Sequence, residues 1–445
     1  MGMALLLLVS VLLIIYSTAW LKFHPFLALL FAAFVYGILS GMPLQQVVDS
    51  INQGFGGTIG GIGIVILFGT IIGIFLERSG GAYTMAESIL KITGRGNVPL
   101  AMSLIGYLVS IPVFCDSGFV ILSPLNKALA KKSHITLASC AIALGLGLYA
   151  THTMVPPTPG PIAAAGILKA DLGLVILFGM ITALIALIPS WLFATRVAAR
   201  VAIDPEPDLT EAELESKMRE APSAALSFLP LLVPILLIVL NSIAAYPTHP
   251  FGEGRLKTFL LFAGTPLVAL LIGVLIAFLL PRRWDQSMFS TTGWVGEAVV
   301  NAAIIITITG AGGSFGKVLQ NSGIADVVGK PLADLHLGIW IPFLMAAAIK
   351  TAQGSSTVAI ITTASLSAPL LASLGVITPA QTALTVVMIG AGSMVVSHAN
   401  DSYFWVVTQF SKMDVATGYR LHSVGTILEG LTAGIAAWLL FTIVT

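Results

Sequence analysis

Charge is what this chain has least of. Lys, Arg, Asp and Glu make up 9% of its 445 residues, 21 basic against 20 acidic, for a net charge of +1. A soluble domain carries about 25% charged residues to cover its surface, so the two or three soluble domains that length alone would suggest are excluded. No basic run is present to follow a phosphate backbone, which removes nucleic acid as a partner. Cysteine is nearly absent as well. Cys115 and Cys140 both fall in apolar stretches; they make no disulfide framework and have no metal-ligand spacing. No metal and no cofactor is expected. The alternating ten-residue pattern of a membrane β-barrel is also missing, which leaves helices as the spanning element.

What fills the chain instead is apolar sequence: 57% hydrophobic residues and a mean hydropathy of +0.98. A helix needs about 20 apolar residues to cross the hydrocarbon core. Such runs occur at 4–21, 25–42, 60–77, 135–168, 172–197, 225–245, 258–280, 300–320, 380–410 and 421–443. The first lacks a basic start and a small-residue cleavage site, so it reads as a membrane helix rather than a signal peptide. Two further stretches, 98–130 and 338–372, are broken in their middles by Phe114-Cys115-Asp116-Ser117-Gly118 and by Gln353-Gly354-Ser355-Ser356-Thr357. Non-helical backbone at membrane depth survives only inside protein or along a cavity. A re-entrant hairpin meets that condition.

The halves repeat. Gly69, Gly73, Leu76, Ser79 and Gly80 recur at identical spacing as Gly312, Gly316, Leu319, Ser322 and Gly323. After them each half has a broken hairpin and then a polar break containing a histidine, His152 or His398. The charged, proline-started stretch from Ile203 divides the two. Most Lys and Arg residues near span ends fall on one side if there are about ten crossings with both termini outside. Five crossings per half is odd, so the halves must be inverted. The expected fold is therefore an all-α polytopic protein of two inverted repeats, 1–202 and 223–445, joined by a cytoplasmic linker at 203–222. It has two re-entrant hairpins and two unwound helices, and it sits in a bacterial inner membrane.

Paired broken segments are where a transporter binds its substrate. In the first hairpin Asp116 is a carboxylate at mid-bilayer, which costs roughly 2.5–3.5 kcal/mol on insertion scales and is rarely idle. It reads as a proton carrier or cation ligand, or as an N-cap of the second hairpin arm, with Ser117 and Gly118 beside it. In the break from Thr151 to Pro161, four prolines in six residues end a helix. Thr151, His152 and Thr153 lie beside the freed backbone, where a half-helix N-terminus suits a carboxylate. The second break offers His398, Asn400, Asp401 and Ser402, with Tyr403 or Trp405 to stack on a chain. Gly354, Ser355, Ser356 and Thr357 present hydroxyls that both donate and accept, which suits a hydroxylated ligand. Asp116, Asp401 and His152 are the proton-coupling candidates. Lys350 is a candidate anion partner. Gly310–Gly316 lacks the Gly-Lys-Ser/Thr ending of a phosphate loop.

These segments resemble the gluconate:proton symporter family, a GntP-type branch of the ion-transporter superfamily. The likeness is carried by Lys22-Phe23-His24-Pro25-Phe26, by Gly312-Gly313-Ser314-Phe315-Gly316 and by Gly354-Ser355-Ser356-Thr357-Val358-Ala359. Asn400-Asp401-Ser402-Tyr403-Phe404-Trp405 and Pro156-Pro157-Thr158-Pro159 add to it. Relatives usually have Glu where Asp116 stands and often His where Thr158 stands. The resemblance implies proton-driven uptake of gluconate, a related aldonate or a short hydroxy acid, in a homodimer with an elevator-like motion. Sodium coupling and a D-serine-like substrate stay open, because freed carbonyls and hydroxyls also suit Na⁺. An intramembrane enzyme would need a nucleophile–base pair or metal cluster that the sequence does not offer.

Overall fold

The computed structural model describes every residue except 1, 94–96, 206–220, 246–250, 325–326, 328–330, 332–333, 400 and 445. Most of the expected linker, and Asn400 of the candidate site, therefore lie outside the described residues. Among those described, regular structure is helical throughout. The first half runs α1 (Gly2–Ala19), α2 (Pro25–Leu39), α3 (Leu44–Arg78), α4 (Gly81–Thr93), α5 (Val98–Val109), α6 (Cys115–Lys132), α7 (Leu137–Met154), α8 (Pro159–Leu168) and α9 (Leu172–Arg196). The second half runs α10 (Ala224–Ala244), α11 (Arg255–Ala263), α12 (Pro266–Ala277), α13 (Trp294–Asn321), α14 (Trp340–Gln353) and α15 (Ser356–Ser367). It ends with α16 (Pro379–Gly392), α17 (Ser402–Phe410), α18 (Val415–Gly418), a π-helical turn over Tyr419–Ser423 and α19 (Val424–Ile443).

Local chemistry sets most of these boundaries. Proline stands in the first turn of α2, α5, α8, α12 and α16, where its missing N–H costs nothing. Asp171 and Ser223 accept first-turn amides of α9 and α10, and Thr378 with Gln381 forms a capping box on α16. The Ser-Gly pairs of the sequence repeat end α3 and α13 in the same way. Ser79 and Ser322 close the helix, and Gly80 and Gly323 follow with φ of 80° and 77°, a conformation that favours glycine. The order of long helix, broken pair, broken helix and final helix recurs in both halves.

The two longest helices, α3 and α13, cross at glycines. A Cβ on Gly54 would lie 2.4 Å from the Gly313 carbonyl oxygen, and one on Gly313 would lie 2.0 Å from Thr58 Oγ1. No larger residue fits that crossing. At the other end of the pair Arg78 grips Glu297 through two contacts of 2.8 Å. Every residue of α7 is buried, as expected of a helix apolar all round.

Among the described residues, six helical segments are long and apolar enough to cross a membrane, or seven if α11 and α12, bent by 69°, count as one. The remaining apolar helices have 10–17 residues. The stretch at 380–410, expected as a span broken around His398, is two short helices of 14 and 9 residues on either side of that break. The break expected from Thr151 differs. Helix α7 continues to Met154, so only 155–158 is non-helical and Thr151, His152 and Thr153 lie on helix. The prolines cluster downstream of that point, and a proline obstructs the turn before it only when it has residues of its own helix there. Pro159 and Pro161 open α8 instead.

Candidate functional site

Three helix N-termini converge on one cavity of about 270 Å³. Phe114, Cys115 and Asp116 come from the start of α6, Ser355, Ser356 and Thr357 from the start of α15, and Asp401, Ser402 and Tyr403 from the start of α17. Gly354 closes the tip between α14 and α15, and Tyr149 and His152 line the opposite wall from the last turns of α7. Gly354 has φ of 94°, which lets α14 end abruptly and α15 start two residues later. Each N-terminus contributes unsatisfied first-turn amides and the positive end of a helix dipole. At α6 no side chain caps those amides. Three such ends pointing at one volume favour negative charge there.

The charges around it are unequal. Asp401 caps α17, its Oδ1 accepting Tyr403 N at 3.2 Å. Its Oδ2 accepts Lys350 Nζ at 2.6 Å and Ser397 Oγ at 2.5 Å. Lys350 is fully buried and also donates to the Gly354 carbonyl, with its ammonium 5.7 Å from the centre of the Tyr149 ring. Since Ser397 spends its hydroxyl hydrogen on Asp401, His422 Nε2, 3.0 Å from Ser397 Oγ, must be the donor in that bond. Each of these three hydrogen bonds is donated to Asp401, the Lys350 bond being charge-assisted. Asp116 has no such company. It sits in the first turn of α6, accepts Ser402 Oγ at 3.2 Å and Cys115 Sγ at 3.7 Å, and has no cation partner among the described residues.

The whole chain matches known proteins. A profile described as GntP family permease covers residues 3–444. The chain belongs to the GntP permease family. It is 36% identical over 408 residues to a gluconate permease of Pseudomonas aeruginosa, covering 90% of this chain and 88% of the relative. It is 33% identical over 443 residues to a D-serine transporter of Escherichia coli, covering 98% of each. In fold it is similar to the YdaH transporter of Alcanivorax borkumensis, with a TM-score of 0.63 at 15% identity over 95% of this chain and 98% of the other. This permease is thus a multi-pass membrane transporter, as the sequence reading expected.

Of the residues singled out in the sequence, Asp116, His152, Gly354, Ser355, Ser356, Thr357, Asp401 and Ser402 line the cavity. Others do not. Thr151 Oγ1 donates to the Tyr107 carbonyl at 2.9 Å and Thr153 Oγ1 to that of Tyr149 at 3.2 Å, so both hydroxyls brace helices. Ser117 turns toward Glu77 of α3, and Gly118 packs under Leu148, where a Cβ would come within 2.8 Å. His398 Nε2 lies 2.8 Å from the Thr351 carbonyl, outside the lining. Trp405 Nε1 donates to the Ala399 carbonyl at 2.8 Å, which leaves Tyr403 as the aromatic of that pair in the wall. The N-cap reading of Asp116 is corrected, because the cap position is Phe114 and Asp116 lies inside the helix. Lys350, expected to face an anion, is committed to Asp401 behind the wall.

Tyr149, Cys115, Ser397 and His422 escaped the sequence reading. Tyr149 stands three residues before His152 on a helix, so i and i+3 geometry was the available signal. For Ser397 and His422 there was none, since their bond joins residues 25 apart across a π-helical turn.

Proposed function

We propose that this permease is a proton symporter that takes up a small hydroxylated carboxylate, of the gluconate, aldonate or short hydroxy acid class. The observation that carries the reading is the charge imbalance of the cavity. Helix N-termini and hydroxyls favour an anion there, while Asp116 is the one lining carboxylate without a cation. Two anions at close range in a low-dielectric site repel strongly. Protonating Asp116 removes the repulsion and turns it into a donor for the substrate, so anion binding and proton uptake are coupled. Asp401, held by three donors, serves as a positioning group. His152 remains a candidate relay, its buried Nδ1 lacking a partner. The hydroxyls of Ser355, Ser356, Thr357 and Ser402 answer the hydroxyls of the substrate. A cavity of about 270 Å³ sits at the small end of ligand pockets, which suits a short chain.

The supporting frame is two inverted repeats of five crossings each, with α5–α6 and α14–α15 as re-entrant hairpins of opposite direction. Both termini lie outside, the linker 203–222 is cytoplasmic, and the protein works as a homodimer in the inner membrane. Alternating access moves the cavity between the two sides. The relatives' printed substrates favour the carboxylate, and one observation favours a second reading. An ionised Asp116 would also pair with the ammonium of a D-serine-like amino acid, and binding would then need no proton.

Uptake into proteoliposomes separates these readings. Aldonates and short hydroxy acids should accumulate under an imposed inward proton gradient without sodium. Accumulation of D-serine alone would select the amino-acid reading, and accumulation driven only by a sodium gradient at fixed pH would reassign the coupling ion. No accumulation of any of these would overturn the transport assignment.

A further inference from the structure

A second and larger polar space lies away from the cavity just described, a cleft of about 590 Å³ between the α3–α13 crossing and the ends of α8 and α15. Gln53 and Thr58 of α3, Lys317 and Gln320 of α13, and Lys169 just past α8 contribute its polar groups, and Ala368–Leu371 after α15 its far wall. Both titratable residues in the lining are lysines, one from each half, and among the described lining residues there is no carboxylate. Neither lysine is paired with a carboxylate among the described residues. Lys317 Nζ donates only to the neutral Gln320 side chain, at 3.1 Å. Lys169, exposed and with φ of 55°, closes the C-terminus of α8, where a cation is favoured by the dipole. That accounts for one lysine at one helix end. It does not account for a polar cleft in which a second uncompensated cation faces it.

The cleft and the cavity share one element. Helix α15 begins in the cavity at Ser356, and its continuation at Ala368 lines the cleft. Twelve helical residues separate the two sites along α15, about 18 Å at 1.5 Å per residue. We propose that this cleft is a second anion site, a vestibule that concentrates the carboxylate substrate through Lys169 and Lys317 before it reaches the central cavity. Its form suits that task. A recess lined by one sign of charge between low-dielectric walls focuses the field and raises anion on-rates by about 10- to 1000-fold at low salt. The proposal rests on the anionic-substrate reading only for the identity of its occupant. An anionic group could also be supplied by a phospholipid headgroup, and the test distinguishes the two sources.

The test reads the cleft without requiring transport. Gln53 is exposed in the lining, so Gln53→Cys places a thiol there, while both native cysteines are buried. The purified full-length variant, in phosphatidylcholine bilayers at low ionic strength, is labelled with an anionic sulfonate methanethiosulfonate or its cationic trimethylammonium counterpart. Site-specific labelling is followed by mass spectrometry. The anionic reagent should react about tenfold faster relative to its intrinsic rate. Adding Lys169→Gln and Lys317→Gln, or screening with about 1 M salt, should bring the ratio near one. Millimolar gluconate should slow labelling of the parent, and phosphatidylglycerol in the bilayer should not. A ratio near one with both lysines present overturns the proposal, as does a ratio that survives their removal. So does labelling that gluconate leaves unchanged, including the case in which phosphatidylglycerol alone protects. If the wild-type protein transports no carboxylate while this charge selectivity and gluconate protection hold, the transport reading fails and the anion site stands.

Discussion

At the scale of single residues the two aspartates of the cavity have different partners, and substitution should separate the roles proposed for them. Asp116→Asn mimics a permanently protonated group. It should retain exchange of labelled for unlabelled substrate across the vesicle membrane while losing accumulation driven by a pH gradient. Full pH-driven accumulation by this variant would remove Asp116 as the proton carrier. Asp401 belongs with Lys350, a pair buried to 5% and 0% exposure. Taking away one partner of a buried pair leaves a bare charge and costs about 3–5 kcal/mol. Lys350→Met should therefore lower the melting temperature of purified protein sharply. Lys350→Met combined with Asp401→Asn, which keeps an N-cap on α17, should recover most of the loss. Equal melting of the single and double variants would show that the pair is not the source of the cost. Asp116, Ser355, Ser356, Thr357 and Ser402 were legible in the sequence because polar residues interrupting apolar runs are a local signal. Thr151 and Thr153 were misleading, since the helical phase of α7 turns His152 and Tyr149 toward the cavity and the threonines elsewhere.

Among the elements, the crossing of α3 and α13 depends on glycine from both helices. A Cβ at Gly313 meets Thr58 Oγ1 at 2.0 Å and the Gly54 carbonyl at 2.7 Å, whereas one at Gly56 meets nothing within 4 Å. Gly313→Val should force the helices apart and cost about 1–3 kcal/mol or more by overpacking. Gly56→Ala, two residues from Gly54 on the open face of α3, should melt like the parent. A comparison of thermal unfolding in detergent decides between this contact and a general intolerance of α3 and α13 to larger residues. Helix boundaries were the more legible part at this scale, because prolines at first turns and Ser-Gly stops act within a few residues. The start of the short α17 was legible as the polar break at 397–402, but not what holds it, Asp401 and through it Lys350 from 51 residues away.

Across the whole molecule the topology makes its own prediction. With both termini outside and the linker inside, alkaline phosphatase fused after Thr445 should be active in intact cells, and a green fluorescent protein there should stay dark. Protease should cut within 203–222 only in inside-out vesicles. The reverse pattern at either position would remove the inverted arrangement. The Arg78–Glu297 pair ties the two halves at one end of the α3–α13 crossing, but at 49% and 34% exposure it adds about 0–1 kcal/mol. The halves are held chiefly by the glycine crossing and the buried helices.

By itself the amino-acid sequence determined the membrane class, the helical fold and most of the places where helices break. Hydropathy, proline and glycine express themselves locally, over one helix turn or one bilayer thickness. Only the tertiary structure decided that the starts of α6, α15 and α17 meet at one cavity, that Lys350 neutralises Asp401 and not a ligand, and that Asp116 is left without a cation. Charge compensation depends on which side chains lie within a few ångströms, and residues as far apart in the chain as 116 and 402 come within that range only when the helices have packed.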